Sequence, residues 1–255
     1  MTVRGKNAVS QAVLVTAVVV CACGRGGPEP PEPEVKLDSV MTQAMADYRD
    51  GRCKRAQLGF SRLAGELPSR DPRVAEATYY LAECDFSAGL YLEASRQFRR
   101  VADTHGSHPL APDALLRSGD ALAELWKLPT LDPTYGESAL AIYRELIARF
   151  PTSRAAARAA IKMTALQEKF AEKEYDNGMF YLRLRAYDSA IIYFRSVVAN
   201  YAQSSFASRA LLRLVEAYRT IGYAEEEREA CDHLRRYYPD AEGLDKTCPT
   251  PAGTP

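Results

Sequence analysis

Between Gly51 and Pro109 the chain carries one pattern twice: Gly51, Ala56, Phe60 and Pro68, then Gly89, Ala94, Phe98 and Pro109. The glycine, the alanine and the aromatic each recur 38 residues on. Weaker copies follow at Ala139, Tyr143, Ile147 and Pro151, at Ala190, Phe194, Val197 and Tyr201, and at Ala230, Leu234, Tyr237 and Pro239. A unit of this period cannot cover its own apolar face, so copies must stack on one another. The residue types say what the unit is. Alanine belongs where two helices approach closely, an aromatic four positions later fills the gap beneath, and proline stops the helix. The sequence therefore predicts an all-α fold of about five helix pairs stacked in line.

This is the tetratricopeptide pattern, with drift. The spacings Ala94–Ala139 and Ala139–Ala190 require insertions, and Ala202 stands where the fourth copy should have a proline. The first helix of a pair is legible too, as the stripes Ala77, Leu81, Cys84 and Ala210, Leu214, Ala217, Ile221. Residues 152–185 run without proline and put Ala159, Met163, Leu166 and Phe170 on one face. Unbroken, that helix would be roughly 50 Å long. Asp176-Asn177-Gly178 is the place to expect a kink, and Leu128–Gly136 reads as the largest non-helical insertion. A stack of this kind forms a curved α-solenoid with a concave side suited to holding another polypeptide.

Residues 1–22 read as an address: Arg4 and Lys6, then an apolar stretch from Ala12 to Ala22 with no acidic residue. Val20-Cys21-Ala22-Cys23 resembles a bacterial lipobox, with Ala22 as the small residue before a lipid-modified Cys23. Cys21 is the poorer acceptor because bulky Val20 precedes it. Lipidation at Cys23 would anchor the chain through acyl groups, each buried methylene adding about 0.8 kcal/mol. Gly24, rather than an aspartate, points to sorting onward to the outer membrane. Residues 23–37 then form an acylated, Pro/Glu-rich tether of roughly 3.1 Å per residue where extended. The tetratricopeptide domain is expected over 38–240, and a C-terminal tail over 241–255.

Chemistry is not announced anywhere. The 33 basic and 33 acidic side chains leave no net positive field to gather phosphates, which argues against nucleic acid. His105 and His108 lack further ligands at metal spacing, so no metal and no cofactor are expected. Glu225, Glu226 and Glu227 suit a helix start better than acid–base work. No catalytic residue is assigned. Of the remaining cysteines, Cys231 and Cys248 can staple the tail across the last pair. Cys53 and Cys84 leave two readings open, a disulfide or two small side chains packed between helices. Candidate peptide-binding residues are Tyr48, Arg73, Tyr79 and Tyr80 in the first two pairs; ordinary packing is the competing account of the tyrosines.

Lipobox, tether and drifting repeats together resemble the BamD family, the outer-membrane lipoproteins of the β-barrel assembly machinery. The closest correspondence runs from Asp132-Pro133 through Ala139, Tyr143 and Arg149-Phe150-Pro151. It continues over the long helix with Glu174 and Tyr181-Leu182, then Ala186-Tyr187, Ala190, Val197, Ala217-Tyr218, Ile221-Gly222 and Tyr238-Pro239. The resemblance implies a non-enzymatic scaffold, lipid-anchored on the periplasmic face of the outer membrane. Its implied partners are the barrel insertase BamA, at the C-terminal repeats, and unfolded outer-membrane protein precursors, at the N-terminal repeats. Accessory lipoproteins of the same complex are implied as well. The alternative is another periplasmic tetratricopeptide scaffold, such as one coordinating cell-wall synthesis during division.

Overall fold

The structure, a computed structural model, describes residues 37–249. The signal segment, Cys23 and its tether to residue 36 lie outside the described residues, as does the tail from 250. Within the described part the expected pairs are present: α1 (Leu37–Arg49) with α2 (Cys53–Glu66), and α3 (Pro72–Ser87) with α4 (Tyr91–Thr104). α5 (Ala111–Leu125) pairs with α6 (Thr134–Arg149), α7 (Arg154–Arg183) with α8 (Tyr187–Asn200), and α9 (Ser205–Ile221) with α10 (Ala224–Tyr237). A short α11 (Leu244–Thr247) follows, so the segment expected as tail is partly ordered against the last pair. From α1 to α10 each helix packs on its neighbours in the chain; α11 packs on α9, α1 also touches α3, and α7 also touches α5 and α9. The odd-numbered helices thereby share one face.

Every repeat alanine is buried where two helices meet: Ala56, Ala94, Ala139, Ala190 and Ala230. Phe60, Phe98, Tyr143 and Phe194 fill the space beneath them. The fifth copy departs. Tyr237 is 62% exposed because α10 ends on it, and Tyr238 packs inward instead, its hydroxyl donating to the Ala202 carbonyl at 2.7 Å. Proline is not needed at Ala202, since the backbone closes α8 by a Tyr201 N–H bond to the Val197 carbonyl.

Short turns join α1 to α2, α3 to α4, α7 to α8 and α9 to α10, and each passes through the left-handed region. Gly51 and Gly89 take φ values of 73° and 78°, which a glycine adopts without a Cβ clash. That requirement explains their shared offset in the sequence. Arg185 holds the same place after α7 with φ 58°.

The helix is unbroken through Asp176-Asn177-Gly178, and α7 runs for 30 residues, roughly 45 Å. Gly178 is there for close packing: a Cβ would sit 2.6 Å from the Phe194 ring. One expectation needs correction: the insertion expected over Leu128–Gly136 is shorter, because α6 begins at Thr134. Asp132 accepts from the Thr134 N–H at 3.0 Å and turns the chain into the helix, while Gly136 backs directly onto the buried Trp126 ring. The loop between α5 and α6 is held from α7. Lys169 donates to the Trp126 carbonyl, and Lys173 to those of Pro129 and Leu131 at 3.1 and 3.0 Å.

Candidate functional site

The four residues expected to contact peptide fall into two arrangements. Tyr48, Tyr79 and Tyr80 form an aromatic chain that ties α1, α2, α3 and α4 together. The Tyr48 and Tyr80 ring centroids lie 5.0 Å apart, Tyr80 sits 5.8 Å from Phe60, and Tyr79 lies 5.3 Å from Phe98. All three remain half-buried. Burial pushes the Tyr79 hydroxyl well above its ordinary range, with nearby Glu83 adding to the effect. Arg73 stands apart at the start of α3. Its guanidinium pairs with Asp71 and with Asp38 of α1, each at 2.6 Å. Asp71 caps α3 by accepting from the Arg73 N–H, so Arg73 pins α1 to the end of α3.

A groove of about 490 Å³ opens farther along the odd-helix face, between α3, α5, α6 and α7. Phe86, Leu166 and the Tyr143 ring supply apolar walls. The Arg117 guanidinium lies 3.9 Å from the Phe86 ring centroid and grips Glu83 through two hydrogen bonds of 2.6 Å. Asp120 is the hub: Tyr143 donates to it at 2.8 Å, and Lys162 and Arg117 lie 3.1 and 3.5 Å away. Burial raises the Tyr143 hydroxyl further out of range, and the Asp120 carboxylate reinforces it. Lys169, at the rim, is shifted down by burial although Glu172 and Glu124 oppose the shift. Charges that neutralise one another around an apolar lining suit the gripping of a chain.

A second opening, of about 570 Å³, lies between α7, α9 and α11. Arg209 spreads there over two rings, its guanidinium 4.7 Å from both the Tyr175 and Phe206 centroids. Arg213 binds Glu216 at 2.6 Å. Next to it Cys231 and Cys248 are joined as a disulfide, with Cα atoms 5.6 Å apart. Arg219 and Arg235 hold the same segment by its backbone, donating to the carbonyls of Thr247 and Cys248 at 2.7 and 2.9 Å.

Apart from Phe86 the groove residues lie beyond the first two pairs, where the sequence places the candidate contacts, and it marks Tyr143 and Leu166 only as packing positions. A signal was available: Lys162 and Lys169 lie two helical turns apart, as do Arg117 and Glu124, so each pair shares a helix face. His108 caps its loop, its Nδ1 accepting from the Leu110 N–H at 3.2 Å. Among the described residues no acidic, histidine or cysteine cluster is arranged to hold a metal. No helix among them is long and apolar enough to cross a membrane.

A family model described as an outer membrane lipoprotein, YfiO, matches residues 33–234, from before α1 nearly to the end of α10. The chain belongs to that family. Its curated relatives include outer membrane protein assembly factors named BamD. One from Xylella fastidiosa strain 9a5c is 25% identical over 220 residues, covering 82% of this chain and 75% of the relative. One from Caulobacter vibrioides is 36% identical over 136 residues, covering 53% and 45%. A solved tetratricopeptide protein of Thermus thermophilus overlaps 82% of this chain and 95% of its own, at 19% identity and a TM-score of 0.37. The fold assignment of this lipoprotein-family member rests on its own five helix pairs rather than on that loose overlay.

Proposed function

We propose that this chain is a non-enzymatic scaffold of the β-barrel assembly machinery, held by an acylated Cys23 on the periplasmic face of the outer membrane. It binds the barrel insertase BamA, and in organisms that have them the accessory lipoproteins, through its C-terminal repeats near the Arg209 opening. Unfolded outer-membrane protein precursors enter at the N-terminal half, along the groove lined by Phe86, Arg117 and Lys162. The exposed edges of Tyr48, Tyr79 and Tyr80 extend that path over the first two pairs, and Arg73 keeps α1 in place beside it.

The observation that carries this reading is the family match across all five pairs, joined to relatives whose names state outer membrane protein assembly. The physical logic agrees. An extended peptide needs a long face with apolar pockets and satisfied polar walls, and a lipid tether would hold that face beside the membrane where the peptide must fold.

Affinity purification of the tagged full-length protein from outer membranes tests it. Co-isolation of a large barrel protein with repeated periplasmic domains is the expected result. Recovery of cell-wall synthases in its place would replace this reading with the division-scaffold alternative. Radiolabelled palmitate should enter the wild-type protein and not Cys23→Ala.

A further inference from the structure

Cys53 and Cys84 have no part in the function proposed above, yet the fold brings them together. Cys53 opens α2 and Cys84 lies in the last turn of α3, and the two helices run antiparallel so that these ends meet. Ser87 marks the meeting point: its hydroxyl donates to the Cys84 carbonyl at 2.8 Å and lies 3.6 Å from the Cys53 sulfur. Cys84 is buried in the core cluster built by α1, α2 and α3, and Cys53 packs against that cluster. Both are free thiols. Their environments differ. Cys84 is 1% exposed, whereas Cys53 is half-buried and reachable from solvent.

We propose that Cys53 and Cys84 are a redox pair that closes into a disulfide, stapling the first helix pair to the second. The difference in exposure sets the order of events. Cys53 loses its proton to water, and its thiolate attacks one sulfur of a small-molecule disulfide. That oxidant's S–S bond breaks, one thiol leaves, and a mixed disulfide remains on Cys53. Cys84, which burial holds in its neutral thiol form until then, loses its proton and attacks the Cys53 sulfur. The second thiol leaves. Two protein S–H bonds and one oxidant S–S bond have become one protein S–S bond and two oxidant S–H bonds, so the protein has lost two electrons and two protons. The closed ring would span α2, the turn at Pro68 and most of α3. The first pair could then no longer fray from the stack, as end units of such arrays otherwise do.

The full-length chain, reduced and then equilibrated in buffers of increasing oxidised glutathione, is quenched with an alkylating agent and digested without reduction. A peptide linking Cys53 to Cys84 should accumulate, preceded by glutathione on Cys53. Cleavage between α2 and α3 should then yield fragments that separate only after reduction. Closure should raise the thermal midpoint by roughly 5–10 °C over a Cys53→Ser control in the same buffer. That control removes only the half-buried partner, so it should fold. If Cys53 carries glutathione at the most oxidising buffer while Cys84 still alkylates after denaturation, with no linked peptide, the proposal is overturned.

Discussion

At the scale of single residues, Arg185 shows what a repeat asks of its backbone. A short turn within a pair takes a left-handed residue; Gly51 and Gly89 supply it freely, and Arg185 supplies it at φ 58°. A side chain in that region costs about 1 kcal/mol, partly offset by the greater freedom glycine would have when unfolded. Arg185→Gly should therefore raise the urea midpoint, by the equivalent of about 0.5 kcal/mol. A lowered midpoint would mean that the Arg185 side chain contributes more than its strain removes. Tyr80 makes the opposite case. With Tyr48, Phe60 and Tyr79 all around its ring, Tyr80→Ala should cost roughly 2–3 kcal/mol in denaturant unfolding. Measuring precursor-peptide affinity on the same folded variant separates packing from contact. Lost stability with unchanged affinity would make Tyr80 purely a wall.

At the scale of the element, helix ends decide how pairs are seated. Asp71 caps α3, and Arg73 bonds it from both side chain and backbone, which brings the Asp71 carboxyl down to about 2 from an ordinary 3.8. The sign follows from linkage. A carboxylate whose folded pKa is depressed stabilises the fold fully above its unfolded value and loses that contribution as the pH falls through the folded one. The seating of α1 on α3 should thus hold above pH 3.8 and weaken toward pH 2. Following the Asp71 carboxyl carbon by NMR should give a midpoint near 2 in the wild type, moving up toward 3.8 when Arg73→Met removes the guanidinium. An unchanged midpoint would assign the shift to the backbone cap alone. α9 is capped differently, from another pair: Glu168 of α7 accepts from both the N–H and the hydroxyl of Ser205. Helix propensity and capping boxes are local signals, and a cap borrowed from 37 residues away leaves none.

At the scale of the described molecule, α7 is the member that joins two cores. Its first half, with Leu166 and Phe170, belongs to the cluster built by α3–α6, and its second half, with Ala171 and Tyr175, to the cluster built by α8–α11. Stacked repeats are stable through nearest-neighbour interfaces, so a continuous helix across two cores couples their unfolding. Ala171→Pro removes a helical bond at the junction and should cost about 3 kcal/mol or more. It should also split one denaturation transition into two, visible as different midpoints for hydrogen exchange in α3–α6 and in α8–α10. A single shared transition would show that the cores are coupled by other contacts, such as Tyr201, which packs against both.

The pairs, their number and most of their buried positions were readable in advance because each rests on short spacings. A small residue, an aromatic four positions on and a stop signal are dictated by one helix meeting its immediate successor. What escaped reading depends on register between helices. Arg117 meets Glu83 across 34 residues and Lys169 meets the Trp126 carbonyl across 43, and neither partner marks the other in the sequence. Gly178 carries no local sign of its role, which is to let the Phe194 ring pack against the long helix. The sequence by itself thus determined that helices pair and pile in order, since apolar periodicity and chain connectivity leave few alternatives. Only the tertiary structure decided where the odd-helix face opens into grooves and how their charges cancel. Those features depend on a rotation and a slide between neighbouring helices, and side-chain packing sets both.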